Sequence, residues 1–110
     1  MTSNLQNQTK RPQSVLIIGF DDVLLMDVAG PAQVFSSTNK VLGRDAYTVA
    51  IESLDGKDVT TDTGLILRTN EPTAEVAAAD YLVVPGGPGV DQRLDDRDFQ
   101  RRLIKLEPNV

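Results

Sequence analysis

A short apolar run that ends in a loop of glycine and proline constrains the fold more than any other feature of the sequence. The run is Tyr81-Leu-Val-Val84, and the loop that follows it is Pro85-Gly-Gly-Pro-Gly89. β-prone residues bounded by such breakers predict a buried strand, and the glycines let the chain turn sharply at its carboxyl end. In an open α/β sheet, ligands bind at the carboxyl ends of the strands. The loop therefore predicts a binding edge.

Composition excludes several classes of protein. The chain has 110 residues, of which 40% are apolar, so we expect one modest core in a single domain. A net charge of −5 argues against direct binding of nucleic acid by these residues. The apolar runs are too short for a membrane span or a signal peptide. We therefore expect a cytoplasmic protein that makes no contact with a membrane.

The sequence contains no cysteine and no histidine. Disulfides, thiolate or imidazole metal ligands, and catalysis by Cys-His or Ser-His pairs are thereby excluded for this chain. The acidic pairs Asp21-Asp22 and Asp95-Asp96 flank loops and helix starts, where solvated acids are common, so we expect no metal site. The glycine loop is neither a dinucleotide fingerprint nor a P-loop, and we expect no cofactor.

The order of the elements predicts an α/β fold with a parallel sheet. Residues 1–13 are polar and aperiodic, which predicts a disordered leader before a domain that covers 14–110. The continuous β-branched run Val15-Leu-Ile-Ile-Gly19 predicts the central strand, covered on both faces. A second strand is predicted over 47–53, and with the helix between them the two strands form a right-handed βαβ unit.

Pro31 limits where the first helix can begin. Proline is accepted in the first turn of a helix, so we expect the helix to start between Asp27 and Pro31, to run to about Asn39, and to be followed by a turn that ends at Gly43.

Weaker signals predict the remaining elements. Two short strands at 58–60 and 65–67 flank a turn and predict an antiparallel hairpin, and residues 72–79 predict a helical turn or irregular link. A last helix is predicted from Asp95 or Asp96 to about Leu106. Since no strand follows this helix, we expect an incomplete domain.

Two candidate features lie at the predicted carboxyl edge, and each has two interpretations. The glycine loop is either a nest of N–H groups that binds an oxyanion or carboxylate, or a turn that requires small residues. Asp27 is either the cap of the helix or a partly buried acid that protonates a substrate or contacts a nucleophile.

Taken together, the motifs resemble the ThiJ/PfpI superfamily, also called class I glutamine amidotransferase-like, and more narrowly the amino-terminal domain of AraC-type transcription regulators of the GlxA kind. The matching stretches are Val15-Leu-Ile-Ile-Gly-Phe20, Leu25-Met-Asp-Val-Ala-Gly-Pro-Ala-Gln-Val-Phe35, Ala46-Tyr-Thr-Val49, Thr63-Gly-Leu65 and Val83-Val-Pro-Gly-Gly-Pro-Gly89.

The resemblance implies a flavodoxin-like three-layer sandwich of which this chain covers about the first half. It places Asp27 where the enzymes of the family carry the acid that faces the cysteine, and Gly86 and Gly87 where the family supplies an oxyanion-hole N–H. We expect these three residues to form a small-molecule site, with Asp27 as a vestigial acid, because the nucleophilic cysteine has no counterpart here.

Two functions follow from the resemblance. One is a ligand-sensing or dimerisation module of a regulator, which is not catalytic as given. The other is a truncated isocyanide-hydratase-like or related enzyme. The segment 36–47 resembles the regulators more closely. We also expect self-association, because the predicted strand 81–84 lacks the neighbour that would cover its open edge.

Overall fold

The protein is described by a computed structural model that covers residues 11–53, 56–70 and 79–88, with 97, 100 and 101 as isolated positions. In chain order, its elements are β1 (Gln13–Gly19), α1 (Leu25–Leu42), β2 (Tyr47–Ser53), β3 (Val59–Thr60), β4 (Ile66–Leu67) and β5 (Tyr81–Val83). These elements give a mixed α/β architecture with a parallel sheet, as in part of a flavodoxin-like fold.

The sheet has the order β2-β1-β5, and both pairings are parallel. In the register, Leu16 lies between Ala50 of β2 and Leu82 of β5. Every residue from Val15 to Phe20 is buried, as expected for a strand that is covered on both faces. The prediction of a central first strand is confirmed. β1 starts at Gln13, one residue before the predicted domain boundary at 14.

The first helix is longer than the sequence indicated. The expected start between Asp27 and Pro31 is wrong, because α1 begins at Leu25 and contains Pro31 in its second turn. Pro31 removes the donor that would bond the Asp27 carbonyl, and its ring normally collides with the preceding side chain. The preceding residue is Gly30, which has no Cβ, and this removes one part of the collision.

The carboxyl end of α1 is fixed by two local interactions. Gly43 adopts φ 68°, in the left-handed region, and its N–H donates to the Lys40 carbonyl. Asn39 bonds both backbone groups of Tyr47: its Oδ1 accepts from Tyr47 N at 2.9 Å, and its Nδ2 donates to Tyr47 O at 2.8 Å. The end at Leu42 is three residues beyond the expected Asn39. Gly43, which was predicted to end the turn after the helix, instead caps the helix directly.

The predicted hairpin is also present. β3 pairs with β4 in antiparallel orientation, with Val59 opposite Leu67. Val59 is buried close to Gly19 at the carboxyl end of β1. This contact places the hairpin beside the edge of the sheet where the candidate site lies.

Three sequence predictions fall largely outside the described residues. They are the leader up to residue 10, the link before β5 up to residue 78, and the last helix, of which only positions 97, 100 and 101 are described and are helical. Within the described ranges, no helix is both long and apolar enough to cross a membrane.

Candidate functional site

Asp27 and Gly86 meet at the carboxyl edge of the sheet. The Gly86 N–H donates to Asp27 Oδ2 at 2.9 Å. Asp27 lies in the first turn of α1, which follows β1, and Gly86 lies three residues after β5. The two residues therefore share the edge at which parallel strands end, as the sequence predicted.

The start of α1 argues against the interpretation of Asp27 as a helix cap. The residue does not cap α1, because the N-cap position is Leu24 and no side chain of that residue closes the helix. Instead, the Asp27 carboxylate bridges from the helix to the glycine loop. Asp27 is half-buried, and its second oxygen, Oδ1, accepts no hydrogen bond from the residues that the structure describes.

Gly87 is required by packing. Its φ is 136°, and a Cβ built on it would lie 2.6 Å from the Asp22 carbonyl oxygen and 2.7 Å from the Leu24 nitrogen. The Leu24 N–H also donates to the Gly86 carbonyl at 3.0 Å. The glycine loop thus lies directly on the backbone of residues 22–24, at a distance that only glycine permits.

The β3–β4 hairpin holds the same segment from another direction. Asp62 Oδ1 accepts the N–H of Leu25 at 3.1 Å, and the Asp62 N–H donates to the Val23 carbonyl at 2.9 Å. Asp62 therefore satisfies a free donor at the start of α1. Sequence reasoning missed this residue, because the only local signal was an Asp-Thr-Gly turn, and its partner lies 37 positions away.

The acidic pair at 21–22 has structural contacts. Asp21 Oδ1 accepts the N–H of Thr60 at 3.0 Å, and the Asp22 N–H donates to the Thr60 carbonyl at 2.8 Å. Among the described residues, no group of three or more Asp, Glu, His or Cys side chains could hold a metal ion. The acidic run at 95–98 lies outside the described residues except for Arg97.

Glu52 is a second acid at this edge that sequence reasoning did not single out. It lies near the carboxyl end of β2, opposite Ile18, and is only 3% exposed. Charged residues are rarely buried to this extent. The available signal was a glutamate next to Ser53 at the end of an otherwise apolar strand.

The arrangement can bind a hydrogen-bond donor. Gly86 fixes one oxygen of Asp27, and the other accepts no hydrogen bond from the described residues, so the carboxylate is already oriented and keeps an acceptor. In this conformation the Gly86 N–H donates its hydrogen bond to Asp27, so it positions that carboxylate and is not available as a donor to a ligand. With no cysteine or histidine in the sequence, the chain itself supplies no thiolate or imidazole nucleophile here.

In sequence and in fold, the chain is similar to AraC-family transcriptional regulators. The crystal structure of an AraC family transcriptional regulator from Pseudomonas putida is 30% identical in sequence, with a TM-score of 0.57 over 77% of this chain and 57% of that one. The HTH-type transcriptional regulator GbdR of Pseudomonas aeruginosa is 29% identical over 77% of the chain.

Two further proteins are similar. An uncharacterized protein in the cpoL 5' region of Streptomyces lividans is 39% identical over 72% of the chain. A solved protein from Vibrio parahaemolyticus has a TM-score of 0.71 over 88% of the chain and 52% of its own length at 8% identity, a likeness of fold alone. The matched region spans 55% of the Streptomyces protein and 23% of GbdR. No family model matches the sequence.

Proposed function

We propose that the chain is a ThiJ/PfpI-like domain of an AraC-type transcription regulator, and that it senses a small molecule and mediates dimerisation in the cytoplasm without catalysing a reaction. The observation that carries the proposal is the 30% identity to an AraC family regulator of known structure across 77% of the chain. In this role the domain itself does not contact DNA, in keeping with its net charge of −5.

The Asp27 carboxylate is the recognition group of the proposed site. Its open oxygen, Oδ1, would accept a hydrogen bond from an N–H or ammonium group of the ligand, and Gly86 would keep the carboxylate in place. Gly87 contributes by allowing the loop to lie against residues 22–24. The ligand class that fits is therefore a small molecule with an amine or amide donor.

A titration with amines tests this site. The probes are ethylamine and the amides of the common amino acids, and the readout is the backbone amide chemical shifts of residues 24–27, 86 and 87. We expect saturable shifts there, and an affinity about tenfold or more weaker in Asp27→Asn, because the charged acceptor is lost. Asp58→Asn is the matched control, since Asp58 is an exposed acid that makes no side-chain hydrogen bond with the described residues. Equal affinity in Asp27→Asn, or no response to any probe, would contradict the assignment.

The alternative of a truncated isocyanide-hydratase-like enzyme makes a different prediction. Such an enzyme would convert an isocyanide faster than a buffer blank. We expect no turnover by the purified chain, because that chemistry in the family uses a thiolate and the sequence has no cysteine.

A further inference from the structure

A second cavity lies at the opposite edge of the sheet from Asp27. Its volume is about 320 Å³, within the range of small-molecule sites. It is built where β1, β2 and β5 begin, together with the loop that follows α1. The residues that line it are Arg11, Gln13, Leu42, Arg44, Ala46, Tyr47 and Asp80.

Among the described residues, the charges of this cavity leave one guanidinium without a partner. Arg11 pairs with Asp80 at 3.2 Å, and Asp80 also accepts the backbone N–H of Ser14 at 2.8 Å. Arg44 makes no side-chain hydrogen bond or ion pair within the part of the chain that the structure describes. With Asp80 neutralised by Arg11, the cavity carries a net positive charge in a chain whose total charge is −5.

Beside this charge lie two apolar side chains, Tyr47 and Leu42, of which Tyr47 is held in place. The Tyr47 ring packs edge-on against Phe35, with centroids 4.8 Å apart, and the backbone of Tyr47 is clamped by Asn39. Leu42, at the end of α1, is 51% exposed although it is a large apolar side chain. An apolar group that enters the cavity would therefore cover exposed apolar surface of Leu42 beside a tyrosine ring that is already positioned.

We infer that this cavity binds a small organic anion, with its carboxylate on Arg44 and its apolar body against Tyr47 and Leu42. The guanidinium presents planar paired donors that suit a carboxylate. The inference is independent of the function proposed for the Asp27 edge, since the two sites lie at opposite ends of the parallel strands and share no residue.

The test uses benzoate as the probe and the full chain. We expect saturable amide shifts at residues 42–47 and 80, and none at residues 24–27. Benzyl alcohol has a similar body without the charge, and acetate has the charge without the body. The affinity for each of these two compounds should be about tenfold or more lower than for benzoate, because each lacks either the charged or the apolar contact.

Substitutions at Arg44 identify the contact. Arg44→Ala should weaken benzoate binding about tenfold or more, whereas Arg44→Lys should retain part of it. Arg68→Ala removes an exposed arginine that does not line the cavity and should leave the affinity unchanged. Amide spectra of each variant report whether it remains folded.

Three results would overturn the inference. They are the absence of saturable shifts at residues 42–47, equal affinity in Arg44→Ala, and binding of an acidic peptide in place of benzoate. The last result would assign the surface to a protein partner.

Discussion

Gly43 and Gly87 show two different reasons why a position in this chain requires glycine. Gly43 has φ 68°, and a Cβ there would meet nothing within 4 Å. Gly87 has φ 136°, and a Cβ there would collide with the backbone of Asp22 and Leu24. At position 43, any other residue would be strained only by the left-handed backbone conformation. At position 87, it would be strained by the backbone conformation and would also collide with neighbouring backbone atoms.

Gly87→Ala should therefore destabilise the fold more than Gly43→Ala. We expect a loss of about 1 kcal/mol in the free energy of unfolding for Gly43→Ala, which reflects the left-handed backbone alone. For Gly87→Ala we expect a loss of about 3 kcal/mol or more, since backbone atoms cannot move aside as a flexible side chain can. Urea unfolding of both variants measures the difference, and equal losses would show that the glycine loop can shift away from residues 22–24.

Asp80 makes the stability of the fold depend on pH. Its carboxyl pKa is lowered, first because the Ser14 backbone N–H donates to it, and further by the hydrogen bond and charge of Arg11, while burial acts in the opposite direction. A group with a lowered pKa in the folded state stabilises the fold above its unfolded pKa, and this contribution is lost as the pH falls through the folded value.

Asp80→Asn should thus be less stable than the parent chain at neutral pH, and the difference should shrink as the pH falls below about 4. Urea unfolding at a series of pH values measures it. Asp58→Asn serves as the control and should match the parent chain in stability at neutral pH, because Asp58 is exposed and makes no side-chain hydrogen bond with the described residues. A constant difference across the series would mean that Asp80 stabilises the fold independently of its charge.

At the scale of elements, the start of α1 depends on the hairpin. Leu24, at the N-cap position, provides no side-chain cap, and Asp62 of the β3–β4 turn accepts the Leu25 N–H in its place. The same turn bonds the Val23 carbonyl through the Asp62 N–H. The position of Asp27, two residues further along the helix, is therefore set partly by an element that is distant in sequence.

Asp62→Ala should cost about 1 kcal/mol of stability and increase hydrogen exchange in the first turn of α1. Asp62→Asn keeps an acceptor for the Leu25 N–H and should recover most of the loss. The measurement is urea unfolding combined with amide exchange at residues 25–28. If Asp62→Ala and Asp62→Asn increase amide exchange equally, the charge of Asp62, rather than its hydrogen bond to Leu25, stabilises the start of α1.

The difference between local and distant determinants explains which elements the sequence predicted. The apolar run at 15–18 and the turn chemistry of the hairpin are encoded by neighbouring residues, and both were predicted correctly. The start of α1 was not predicted, because the acceptor for the Leu25 N–H comes from Asp62 and the helix contains Pro31 in its second turn. At the site, the meeting of Asp27 with Gly86 followed from parallel topology, whereas the burial of Glu52 depends on packing that no local pattern reports.

At the scale of the whole molecule, the two edges of the sheet differ. The outer edge of β2 is covered by two asparagines: Asn39 bonds both backbone groups of Tyr47, and Asn70 bonds both backbone groups of Ile51. No hydrogen bond from the described residues reaches the outer edge of β5. Open edges of this kind pair readily with other strands.

We therefore predict that the chain self-associates through β5. Light scattering over a dilution series should show the mean mass rise above the monomer value of 12.0 kDa with concentration, because a second copy would satisfy the backbone of β5 and cover Val84, which is 51% exposed. Val84→Lys places a charge at this edge and should keep the chain monomeric. Val41→Lys makes the same change on α1, where Val41 is 86% exposed, and should associate like the parent. If the parent stays monomeric, β5 is not an interface, and if only Val41→Lys is monomeric, the copies meet through α1 instead.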